Sequence, residues 1–123
     1  LPAELECNLT DTKHAYVRHV FLSQNGTPRM LAQTFIPPQT MQHSGGQLGQ
    51  LGTKPLGKFL FADRTLRRCH IAFAQLQPWH RDFQLAKPYT HPSTKTLWGR
   101  RSTFYWREHP LLLIETFLPE IHE

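Results

Sequence analysis

The sequence predicts an α+β domain: a single antiparallel β-sheet of about five or six strands with a few short helices packed on it. Three observations carry this. Runs rich in aromatic and β-branched residues follow one another along the chain. Two successive pairs of these runs are joined by tight-turn signals, which permit only antiparallel neighbours. Finally, 123 residues with 39% hydrophobic and 19% charged content supply one core but not two, so residues 1–123 read as one domain.

Residues 1–13 scatter Pro2, Glu4, Glu6 and Asp11 among apolar positions without a clear period, and no element is assigned to them. Residues 15–22, AYVRHVFL, form a first strand, and Asn25-Gly26 immediately beyond is the strongest short-range signal for a type I′ hairpin. Its return strand is residues 30–36. Counting outward from a two-residue Asn25-Gly26 loop places Arg18 directly opposite Gln33 on one face. Pro37-Pro38 ends the strand, because proline cannot donate to a ladder and holds its predecessor extended. In the Gly-rich stretch that follows, residues 55–61 read as a helix start, with Pro55 in the first turn and Leu56, Phe59 and Leu60 on one stripe. Residues 66–76, LRRCHIAFAQL, alternate as a third strand, and residues 78–96 read as a surface loop. Residues 102–107 and 110–118 are two further strands with a turn at Glu108-His109.

Composition narrows the function classes. Fourteen Lys+Arg against nine Asp+Glu leave a formal charge of +5, which favours an anionic partner without identifying it. The longest apolar stretch, residues 111–114, is far short of a membrane span, and the first residues lack the basic and apolar regions of an export signal. Two cysteines, Cys7 and Cys69, form neither a CxxC motif nor a disulfide scaffold, so a reducing, cytoplasmic setting is expected. The eight histidines form no HExxH or HxH motif, so no metal site is expected. LWGRRS (97–102) puts an aromatic beside two arginines but lacks the repeated interleaving of a nucleic-acid face, so no nucleic-acid partner is expected.

Two residues are chemically out of place. Arg18 sits inside an otherwise apolar strand, on one face with Tyr16, Val20 and Leu22, where a guanidinium calls for a carboxylate or phosphate. The bland alternative is a rim arginine with its head in solvent. Glu115 is the one charge in PLLLIETFL (110–118), and a lone buried carboxylate costs several kcal/mol unless paired or protonated. The bland alternative there is a structural ion pair with Arg100, Arg101 or Arg107. Together, a buried Glu and a strand Arg on one sheet form a grip for the two ends of a small polar anion.

Four blocks then align with a known pattern. LGTKPLGKFLF (51–61), LWGRRS (97–102), PLLLIETFLP (110–119) and the hairpin carrying Tyr16, Arg18, Asn25-Gly26-Thr27-Pro28 and residues 34–37 resemble the chorismate pyruvate-lyase family, from about Tyr16 to Pro119. The resemblance implies a cofactor-free lyase that converts chorismate to 4-hydroxybenzoate and pyruvate for ubiquinone biosynthesis, acting as a monomer. It implies substrate contacts at Arg18, Leu56 and Glu115, with Arg18 and Glu115 as the catalytic pair. Family members carry Gly-Arg where this chain has Ala32-Gln33, so Gln33 is expected beside Arg18 as a substrate contact that keeps a donor and loses a charge. The family also has residues upstream of Leu1 that cover the pocket, and the chain is expected to lack them. Residues 78–96 exceed the corresponding connection in the family pattern. The other reading of the resemblance is a catalytically weak relative that binds a small aromatic carboxylate.

Overall fold

Strand propensity produces two three-stranded antiparallel units, and one strand pairing unites them. In the computed structural model, which describes residues 4–11, 16–44, 46–50 and 64–119, the strands are β1 (Glu4–Asp11), β2 (Tyr16–Gln24), β3 (Thr27–Ile36), β4 (Arg67–Leu76), β5 (Leu97–Trp106) and β6 (His109–Phe117). They form one six-stranded sheet in the order β1-β2-β3-β6-β5-β4, and every adjacent pair is antiparallel. The expected α+β architecture is present, with β1 as a strand where the sequence supported no assignment. Residues 55–61, read above as a helix start, lie outside the described residues.

Among the described residues, two hairpin turns each have two residues with positive φ, as a type I′ turn requires: Asn25 (53°) and Gly26 (77°), then Arg107 (49°) and Glu108 (68°). The second turn therefore sits one residue earlier than Glu108-His109. Asn and Gly accept this conformation readily, whereas Arg and Glu carry a steric cost from Cβ against the following carbonyl.

The first hairpin departs from the expected register. Next to the turn Ser23 faces Pro28, but one pair further out Leu22 faces Met30, so Arg29 is an extra residue on β3. Proline has no N–H for the ladder, and bulges are where sheets accommodate it. The slip of one residue exchanges faces along the rest of β3. Arg18 consequently lies opposite Thr34, and Gln33 lies opposite His19 on the other side of the sheet.

Each face of the sheet has its own cover. On the Arg18 face, Ile36, Phe104, Trp106 and Leu111 pack with Met41 of helix α1 (Pro38–His43) and Leu48 of a short 3₁₀ turn. On the opposite face, Phe21, Leu31, Leu97 and Leu118 pack with Phe83 and Ala86 of helix α2 (Arg81–Ala86). A 3₁₀ turn, Lys87–Tyr89, continues α2 and lays Tyr89 on Phe21. The segment read as a surface loop is thus partly core: Phe83 is 2% exposed and Ala86 fully buried. Phe83, Ala86 and Tyr89 recur at three-residue spacing, the helical signal that the surrounding prolines and charges obscure.

Replacing Arg107-Glu108 with Asn-Gly is expected to stabilise the fold by roughly 1 kcal/mol, a rise of a few °C in Tm by calorimetry. The exposed Arg67–Glu108 pair lost in that variant, 3.0 Å apart, contributes little enough not to reverse the sign.

Candidate functional site

The central pairing of β3 with β6 decides what meets on the Arg18 face. Glu115 of β6 stands between Ala32 of β3 and Arg100 of β5, while Arg18 of β2 lines up with Thr34 and, beyond it, Leu113. Arg18 and Glu115 share a face, two strands and two residues apart, which corresponds to roughly 12 Å between their Cα atoms. Both are buried, at 5% and 6% exposure.

Glu115 has the partner its burial demands. Arg100 Nε donates to Glu115 Oε1 at 2.7 Å, and Arg68 Nη2 lies 3.8 Å from the same oxygen. That hydrogen bond raises the Arg100 pKa above its ordinary value, with burial opposing it. Arg68 is held in turn by Ser102, whose Oγ accepts from its Nε at 3.1 Å and its Nη2 at 2.8 Å. The guanidinium of Arg68 also lies 5.3 Å from the centre of the Phe104 ring, and that of Arg100 lies 5.7 Å from the Phe117 ring. Both cationic contacts to Glu115 fall on Oε1, and among the described residues Oε2 takes no hydrogen bond. Two arginines, Arg68 and Arg100, thus meet one carboxylate, and Arg18 lies on the same face, a field suited to a polyanion. Phe73, opposite Arg100, and Trp98 are more than half exposed at the β4 side of this face.

The structure thus brings Arg18 and Glu115 together and separates Gln33 from them. Gln33 projects from the other face beside His19, where the bulge at Arg29 puts it, so it is not a neighbour of Arg18. Leu56 lies outside the described residues. Arg100 appeared in the sequence only as a structural partner for Glu115, and Arg68 was missed. In β4 the alternation breaks at a bulge between Cys69 and Ala72, where His70 takes a φ of 51°, so Arg68 and Phe73 share a face despite their odd spacing. Among the described residues no group of three or more His, Cys, Asp or Glu side chains is placed to hold a metal ion, and no helix is long and apolar enough to cross a membrane.

A family model described as chorismate lyase matches residues 4–123. The chain belongs to the chorismate lyase family. Among relatives, a probable chorismate pyruvate-lyase of Nitrosomonas eutropha is 35% identical over 98% of this chain and 68% of its own length. One of Psychromonas ingrahamii is 41% identical over 84% of the chain and 55% of its own, and the chorismate pyruvate-lyase of Pectobacterium atrosepticum is 34% identical over 85% and 49%. This chorismate lyase family member thus spans about half to two-thirds of the length of these relatives. Among solved structures, the C-terminal domain of PhnF superposes with a TM-score of 0.67 at 15% identity, covering 99% of this chain and 86% of that one, which shows a shared fold.

Two measurements follow for this family member. Arg100→Leu is expected to destabilise the fold by about 2 kcal/mol in urea unfolding, less than a fully buried pair would lose, because Arg68 remains near Glu115. On the opposite face, burial and, next, Arg81 hold the His19 pKa below 6.5, with Asp82 opposing. The unfolded chain then binds more protons than the folded one below about pH 6.5, so the His19 contribution is present above that pH and is lost as pH falls through the folded value. The drop in urea midpoint between about pH 7.5 and about pH 5.5 should therefore be smaller in His19→Gln than in the parent chain.

Proposed function

We propose that this chain carries out the chorismate pyruvate-lyase reaction, converting chorismate to 4-hydroxybenzoate and pyruvate as the committing step toward ubiquinone. We further assign it to the cytoplasm, acting as a monomer and without a cofactor. The observation that carries the reading is the buried pair of Arg18 and Glu115 on one face of the sheet, set in the positive field of Arg68 and Arg100.

Chorismate is a dianion with a ring carboxylate, an enolpyruvyl ether bearing a second carboxylate, and a ring hydroxyl para to the first. Arg18 takes one carboxylate as a bidentate pair. Glu115 accepts a hydrogen bond from the ring hydroxyl through Oε2, while Arg100 fixes the carboxylate through Oε1. Held so, the ether C–O bond breaks, and the hydrogen on the hydroxyl-bearing carbon passes to the methylene of the enolpyruvyl group. The ring becomes aromatic and pyruvate leaves. Aromatisation makes the step strongly downhill, so positioning supplies most of what the protein must contribute. An oxygen already accepting from a guanidinium at 2.7 Å has that lone pair committed, which favours a positioning role for Glu115 over that of a general base. Gln33 lies on the other face of the sheet, so its lack of charge leaves the field of this face unchanged.

Purified chain incubated with chorismate, with no metal added, should release 4-hydroxybenzoate and pyruvate in equal amounts by chromatography. Arg18→Ala should raise KM by about a hundredfold, the loss of a charge-assisted bidentate contact, and an unchanged KM would sink the assignment. Glu115→Gln should keep turnover within about tenfold of the parent, whereas a general base would lose several orders of magnitude. Binding of 4-hydroxybenzoate without any turnover of chorismate would favour the ligand-binding relative instead.

A further inference from the structure

A dianion held between Arg18 and Glu115 brings its second carboxylate to a definite place. With the ring carboxylate on Arg18 and the para hydroxyl on Glu115, the enolpyruvyl ether leaves the ring at the carbon next to the hydroxyl-bearing one. Its carboxylate therefore arrives beside Glu115. Two carboxylates side by side repel each other, so a cation with uncommitted donors has to stand there.

Arg68 meets that requirement. Arg100 Nε is committed to Glu115 Oε1 at 2.7 Å, and those two charges compensate each other. Arg68 is anchored on a neutral group instead: its Nε and Nη2 donate to the Oγ of Ser102, a fully buried residue, at 3.1 and 2.8 Å. The Phe104 ring, 5.3 Å from the guanidinium, supports it from a second side. Among the described residues its one acidic neighbour is Glu115, at 3.8 Å, beyond hydrogen-bond distance and on the oxygen that Arg100 already holds. A guanidinium carries five N–H groups, so after the two given to Ser102 the Nη1 pair and one Nη2 hydrogen take no partner among the described residues. The side chain is 34% exposed. Arg68 is thus a cation held in place, with its charge uncompensated and more than half of its donors unused.

We propose that Arg68 is the residue that selects chorismate over its own product, by donating to the enolpyruvyl carboxylate, the group that chorismate carries and 4-hydroxybenzoate lacks. This rests on the Arg18–Glu115 reading of the site. Once the ether bond breaks, that carboxylate leaves on pyruvate, and the aromatic product keeps only its contacts to Arg18 and Glu115. Arg68 then adds affinity for the substrate and none for the product, and such a difference is what specificity consists of.

The test is a calorimetric titration with two stable probes, 4-hydroxybenzoate and 3-(carboxymethoxy)-4-hydroxybenzoate, the second of which carries a carboxylate on an ether next to the hydroxyl, as chorismate does. Arg68→Gln should weaken the dicarboxylate at least about tenfold, the effect of losing a charge-assisted hydrogen bond, and 4-hydroxybenzoate less than about twofold. Arg68→Lys, which keeps the charge, should fall between the parent and Arg68→Gln for the dicarboxylate. Ser102→Ala keeps every charge and releases the guanidinium, so it should weaken the dicarboxylate about threefold and leave 4-hydroxybenzoate unchanged, which tests the proposal even where Arg68→Gln unfolds. In turnover, Arg68→Gln should raise KM for chorismate and leave the inhibition constant of 4-hydroxybenzoate in place. Equal weakening of both probes, the mark of a merely structural role, or undiminished binding of the dicarboxylate would each overturn the proposal. Absence of product from chorismate, or 4-hydroxybenzoate binding that Arg18→Ala does not weaken, with the difference between the two probes retained, would instead count against the Arg18–Glu115 reading alone.

Discussion

The pairing of β3 with β6 is the constraint on which the rest of this structure depends. Two three-stranded antiparallel units, β1-β2-β3 and β4-β5-β6, meet only through this pairing. Joining them through β3 and β6 puts β6 at the centre of the sheet, with apolar clusters on both faces. It also places the charge of Glu115 where water is excluded, so the neighbouring strand must supply a cation. Arg100, directly across on β5, is that cation, and Arg68, one strand further out, reinforces it. The arginine-rich face thus follows from topology and from the cost of an unpaired buried charge.

The architecture was legible in the sequence because its signals are local. Asn25-Gly26, the proline pair after Ile36 and the β-branched and aromatic runs specify hairpins whatever the chain does elsewhere. Arg18 and Glu115 were legible for another reason: a charge inside an apolar run is costly in any fold that buries the run. Facing was not legible at Gln33 or Arg68, because each lies past a bulge, and alternation predicts a face only while the ladder is unbroken. Burial of Phe83 and Ala86 was hidden differently. Their three-residue spacing is present, but the prolines and charges on either side are the usual marks of a loop, and only the apolar surface of β2 and β3 decides between the two.

The sheet separates two environments of different kinds. One face is cationic, with Glu115 already held by Arg100 and Arg68. On the other, two buried polar groups lack partners within an aromatic corner. The first is electrostatically organised before any ligand arrives, so little reorganisation accompanies binding there.

The extra residue at Arg29 gives the stretch between Gln24 and Met30 a significance that its amino-acid identities do not convey. Its length acts as a phase setting: it determines which of two neighbouring side chains on β3 serves which compartment. Gain or loss of one codon in that stretch would shift the register of β3 against β2 by one residue and exchange the faces of the residues beyond it. Within this hairpin, the division of labour between the two faces is therefore encoded as a distance along the chain.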